Sequence, residues 1–132
     1  QYSEELAKLQ ILIDEISSQN KKPILFVWQR QLITFDNIKL NSIESKYELV
    51  DLMEMVMSEN QLYLNQFEND INAHTYAAII LDPIPIHLNH GQPFSEETNA
   101  WYKDVVEIIM KNYHQKVVLP QTQTTIFILD EN

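Results

Sequence analysis

The chain has no cysteine, one glycine, and nine basic residues against nineteen acidic ones. Each shortage excludes something. Without cysteine there is no disulfide, no thiolate nucleophile and no Cys-ligated zinc, while the redox compartment stays open. A single glycine, Gly91, cannot build the Walker or Rossmann loops that cradle phosphates, because these need several. A net charge of −10 repels nucleic-acid phosphates and anionic lipid alike, which argues against a nucleic-acid track and against membrane insertion by this domain itself. No apolar run approaches the roughly 18 residues that a membrane helix needs. The longest, Ile24 to Trp28 and Ala77 to Leu81, are strand-sized.

What is present is a chain of 132 residues, 45% of them hydrophobic. That suffices for a packed core and for one domain over residues 1–132. No repeat, low-complexity segment or linker divides it. The chain opens Gln1-Tyr2-Ser3, with neither an initiator Met nor a charged-then-apolar leader, so a domain cut from a longer protein is expected.

Periodicity sets out the elements. Leu6, Leu9, Ile13 and Ile16 form one stripe of a helix over about residues 3–18, with Glu4 and Glu5 in its first turn where the dipole favours acids. Pro23 ends it, and Ile24 to Trp28 reads as a buried strand. Leu32 to Phe35 is a short extension or second small strand, and Asp36-Asn37 a turn. Ser45 with Glu48, and Ser58 with Gln61, fit capping boxes that open two helices, or one helix kinked at Ser58. Thr75 to Leu81 is the second strand, and a loop runs from Asp82-Pro83 to about Phe94. Ser95 caps a helix with Trp101, Val105, Ile108 and Tyr113 along its buried stripe. Lys116 to Leu119 and Thr124 to Leu129, joined by Pro120–Gln123, form an antiparallel hairpin. The order predicts an α/β fold: a three-layer α/β/α, Rossmann-like body with a mostly parallel central sheet and an antiparallel C-terminal edge hairpin.

Ligands of open α/β sheets bind beyond the C-terminal strand ends. Here those ends carry Arg30 and Gln31 after the first strand and Asp82 after the second. If the two strands are neighbours, Arg30 and Asp82 face each other across one crevice as candidate ligand-binding residues. The plain reading, a surface ion pair beside a turn, is the favoured one. His87 and His90 sit three apart, a spacing that ligates zinc on a helix, but the flanking prolines remove that helix and no third ligand is in view. A solvated loop is favoured, with no metal and no cofactor. There is no GxSxG elbow, the prominent serines serve as helix caps, and the acid pairs Glu4/Glu5 and Glu96/Glu97 belong to helix first turns. Met53, Met55 and Met57 alternate along a helix and cannot all share one face, so at least one is expected at the surface or against a partner.

The stretch Ile24-Leu25-Phe26-Val27-Trp28-Gln29-Arg30-Gln31-Leu32-Ile33-Thr34-Phe35 resembles the soluble C-terminal region of bacterial, cyanobacterial-type polytopic membrane proteins that are glycosyltransferase-like and related to the protein O-mannosyltransferase class. The resemblance continues through Tyr47-Glu48, Leu52 to Met57, Tyr76 to Pro83, and Glu97 with Asn99-Ala100-Trp101. It implies a tail domain on the extracytoplasmic (periplasmic) side of the cell membrane, following the last span and partnered by its own transmembrane region. The catalytic acids of such a lipid-dependent glycosyltransferase lie in a membrane-flanked loop that this chain does not contain, so no catalytic residue carries over. One departure is the pair Asp36-Asn37 where the family often has glycine.

Three functions are then expected, in order. The first is a non-catalytic extracytoplasmic domain of a membrane glycosyltransferase-like protein, aiding acceptor or partner recognition. The second is a free-standing acidic interaction module, of inhibitor or immunity type, for a basic protein partner. The third is a small α/β enzyme using Arg30 and Asp82.

Overall fold

The structure, a computed structural model, describes residues 2–28, 43–44, 46–83, 88–89, 92–93 and 95–130. Helix α1 (Tyr2–Gln19) leads into β1 (Ile24–Val27), followed by the two-residue β2 (Ile43–Glu44). Helices α2 (Leu49–Met57) and α3 (Gln61–Asn72) precede β3 (Ala78–Leu81). Short strands β4 (Leu88–Asn89) and β5 (Gln92–Pro93) pair antiparallel. Helix α4 begins as Ser95–Trp101, passes through a π-helical turn at Tyr102–Val106 and ends as Glu107–Asn112. Strands β6 (Tyr113–Val118) and β7 (Thr125–Leu129) complete the order.

The main sheet is mixed and open, in the order β2-β1-β3-β7-β6. Strand β1 runs parallel to both β2 and β3, whereas β7 is antiparallel to β3 and to β6. The sheet is thus half parallel rather than mostly so. The expected antiparallel C-terminal hairpin forms one edge of the sheet, with β6 outermost and β7 joining it to β3. Leu119 N donates to Thr124 O at 2.8 Å and Gln123 N to Leu119 O at 2.8 Å, closing the hairpin turn. Gln123 takes a left-handed φ of 62° there.

Strands β1 and β3 are buried on both faces, as their unbroken apolar runs require. Alternation divides their side chains. Ile24, Phe26, Ala78, Ile80 and Ile126 pack with Leu9 and Ile13 of α1, and Leu6 and Ile16 of the same helical stripe flank them. Leu25, Val27, Ile79, Leu81 and Phe127 pack instead with α2, α3 and α4 through Leu52, Val56, Phe67, Ile71, Val105 and Ile109.

Two capping expectations are corrected. Helix α2 starts at Leu49, with Glu48 at its N-cap and no side-chain capping bond. Leu49 is almost completely buried and Val50 exposed, so burial of the apolar stripe sets this start rather than a box. Ser45 itself lies outside the described residues. At the next boundary Ser58 closes α2 as its C-cap, and Asn60 is the N-cap of α3, its Oδ1 accepting from Tyr63 N at 3.1 Å. Glu59, between them, has a φ of 55°, a left-handed residue that ends one helix and separates it from the next. There are two helices here, not one kinked helix. Tyr113, expected on the stripe of the last helix, is buried but opens β6.

Candidate functional site

Strands β1 and β3 are neighbours and parallel, with Val27 opposite Leu81. Their C-terminal ends therefore open at one edge of the sheet. Asp82 N donates to Val27 O at 3.0 Å, which sets Asp82 beside Trp28. On the other side Leu81 pairs with Thr125, so Asp82 and Thr124 oppose each other one step further. Thr124 Oγ1 donates to Asp82 Oδ1 at 2.6 Å, a short bond of the kind a carboxylate makes with a hydroxyl.

A second carboxylate reaches the same end from α1. Glu5 accepts from the backbone amides of Gln121 and Thr122, the latter at 3.0 Å, and from Thr122 Oγ1 at 3.0 Å. Thr122 Oγ1 in turn accepts from Thr124 N at 3.3 Å. A continuous polar chain thus runs Glu5, Thr122, Thr124, Asp82. Burial opposes the charge on Glu5, but the amides of Thr122 and Gln121 and the Thr122 hydroxyl outweigh it and hold the carboxyl below its ordinary value. Beside this chain Trp28 stacks on Phe26 with centroids 5.4 Å apart, and its buried Nε1 has no hydrogen-bond partner among the described residues.

A carboxylate bonded to a hydroxyl is the pairing of a base with a nucleophile. Access decides against that use here. Thr124 is 1% exposed, Glu5 5% and Asp82 9%. The Thr124 hydroxyl is closed to solvent, and among the described residues the hairpin supplies donors to both carboxylates, the Gln121 and Thr122 amides and the Thr122 hydroxyl to Glu5 and the Thr124 hydroxyl to Asp82. The arrangement pins the β6–β7 turn to α1 and to the tip of β3.

Of the residues singled out from the sequence, Asp82 stands at this strand tip as expected. Arg30 and Gln31 lie outside the described residues, as do His87, His90, the Leu32–Phe35 segment and the Asp36-Asn37 turn. His74 and His114 are far apart in role. His74 Nε2 lies 2.9 Å from Asn112 Oδ1, and since Asn112 Nδ2 donates to Asn72 Oδ1 at 2.7 Å, His74 is the donor. His114 Nδ1 lies 2.8 Å from Asp130 Oδ1. No group of three or more potential metal ligands occurs among the described residues.

No family model, curated protein or solved structure matches this chain.

Two features were not visible as sites in the sequence. Glu5 and Thr122 are one. Glu5 lies in line with Leu9 and Ile13, on the stripe that packs on the sheet, and an acid on a buried stripe is the signal that it needs donors. The other is the outward side of α2. Val50, Met53, Glu54, Met57 and Ser58 line an open, mainly apolar depression. Val50 is 53% exposed and Met57 43%, so the expectation that one of the three methionines meets solvent holds for Met57. No helix among the described residues is long and apolar enough to cross a membrane.

Proposed function

We propose that this chain is a non-catalytic recognition domain. The single observation that carries the reading is the inward engagement of the strand-tip carboxylates. Asp82 and Glu5 are almost completely buried and bonded to the closing turn of the hairpin, in the place where an α/β enzyme would present reactive groups to a cleft. The large apolar side chains Val50 and Met57 lie exposed on α2, which suits contact with a macromolecule.

The division of the core into an α1 side and an α2–α4 side supports the three-layer α/β/α arrangement, with a Rossmann-like parallel half. The sequence resemblance supplies the setting. The domain belongs to a membrane glycosyltransferase-like protein, on its extracytoplasmic side, with the transmembrane region of the same protein as its first partner and acceptor recognition as its task. The alternative setting, a free-standing acidic interaction module, draws on the net charge of −10.

The test uses the full-length protein in its own cells, with a protease site placed after Asp130. Membrane fractionation and cleavage by protease added outside the cytoplasmic membrane are expected. Recovery of a full-length, membrane-free protein in the cytosol would overturn the setting. Glycosyl transfer by the isolated domain would overturn the non-catalytic reading.

A further inference from the structure

Helix α2 carries two apolar stripes. Leu49, Leu52 and Val56 face the core and are 2% exposed or less. The second, Val50, Met53 and Met57, follows the i, i+3, i+7 spacing of one helical face, with Glu54 in line beside it. Helices that are apolar nearly all round are normally covered all round, yet Val50 and Met57 stand 53% and 43% exposed. The depression they form is open and shallow, with almost purely apolar walls. Methionine is the residue best able to repack around an incoming side chain, being unbranched and polarizable.

The charge around this face is of one sign. Residues 47–59 contain Glu48, Asp51, Glu54 and Glu59 and no base. Over residues 46–72 there are six acids against the single base Lys46, a net −5 that is half the charge of the chain in about a fifth of its length. Lys46 is itself held by Asp70 at 3.1 Å. A second copy of so acidic a face would be repelled, as would an anionic membrane. A partner that places apolar side chains at helical spacing between lysines or arginines would be attracted by the rim and anchored by the floor.

We infer that the outward face of α2 is a docking surface for a basic amphipathic helix. The binding rests on the recognition reading above and gives it a partner chemistry. Val50, Met53 and Met57 receive the apolar anchors. Asp51, Glu54 and Glu59 steer the cationic flank, so association is salt-sensitive while the bound state retains an apolar component.

The test is titration of the ¹⁵N-labelled chain with a synthetic 18-residue amphipathic peptide of leucine and lysine. A scrambled peptide of the same composition is the control for charge alone. Amide shifts confined to residues 50–58 and their neighbours are expected, with the scrambled peptide at least tenfold weaker. Val50→Glu with Met57→Glu is expected to weaken binding at least tenfold. Both positions are exposed, and an unchanged amide spectrum elsewhere verifies the fold of the variant. Raising salt from 50 to 500 mM is expected to weaken binding several-fold without abolishing it. Shifts centred elsewhere, equal affinity for the scrambled peptide, an unaffected double variant, or concentration-dependent self-association through this face would each overturn the inference. The membrane-topology experiment is independent of all these outcomes, so failure of the docking surface and failure of the cellular setting are told apart.

Discussion

Glu5 and Thr122, separated by 117 positions, meet through two hydrogen bonds of 3.0 Å, from the Thr122 amide and hydroxyl to the same carboxylate oxygen. This contact ties the first turn of the chain to the turn of its last hairpin. It has a pH signature. The folded carboxyl titrates below its ordinary value, and unfolded Glu titrates near about 4.3. The stabilisation is therefore complete above the unfolded value and is lost as pH falls through the folded one. Glu5→Gln keeps the shape but turns one acceptor into a donor facing donors. Urea midpoints measured from pH 7 to pH 3 are expected to drop for the natural chain below about pH 4.3 and to start lower and fall less for the variant. Parallel curves would contradict the contact.

Tyr113 gives the matching prediction at high pH. Its hydroxyl donates to Tyr76 O at 2.7 Å, and burial pushes its phenol up to about 12. Unfolded tyrosine ionises near about 10, so stability from this group is full below that value and is lost as pH rises from there through about 12. Tyr113→Phe leaves the Tyr76 carbonyl without this donor and is expected to cost about 1–3 kcal/mol at neutral pH. Denaturant unfolding measures the loss, and absorbance titration of the phenolates is expected to lose one late-ionising group.

Asn60, not Ser58, starts α3. Asn60→Ala is expected to destabilise the chain by about 0.5–2 kcal/mol, the usual range for a lost N-cap. Ser58→Ala, at a C-cap where the backbone amides bond and the hydroxyl adds only an exposed 3.4 Å contact to Met55 O, is expected to change stability by less than about 0.5 kcal/mol. A larger effect at Ser58 than at Asn60 would restore the capping box read from the sequence.

That reversal shows where pattern reading stops. Stripes such as Leu9–Ile13 and Phe67–Ile71 reveal helices because burial on one face imposes a period. Boundaries are harder, since Ser58 and Asn60 are both good caps and only the left-handed turn at Glu59 chooses between them. Strand order is harder still. The insertion of β7 between β3 and β6 depends on which edges find each other, and no local spacing encodes that. For the same reason Asp82 was legible as a strand-tip acid, while its partner Thr124, 42 positions away, was not. The two-residue strands β2, β4 and β5 are too short to impose any period.

Tyr47 and Asp70 support the α2–α3 corner in a similar long-range way. The Tyr47 hydroxyl donates to Asp70 Oδ2 at 2.5 Å, and its ring meets Phe67 edge-on at 5.0 Å. Burial, together with the bond to Asp70 and its charge, raises the phenol far above its ordinary range. Tyr47→Phe is expected to keep the ring contact and lose about 1.5–3 kcal/mol, the range for a bond to a charged acceptor, as read by chemical denaturation.

The most direct test of the view that the strand tip holds structure rather than chemistry is a double-mutant cycle on Asp82 and Thr124. Asp82→Asn, Thr124→Val and the double variant are compared by urea unfolding at pH 7. Two groups joined by a buried 2.6 Å bond are expected to show a coupling of about 1–3 kcal/mol, since each single change removes this bond from the other group. Additive losses, within about 0.5 kcal/mol, would mean that Asp82 is not engaged by Thr124 and would return its carboxylate to the groups available for reaction.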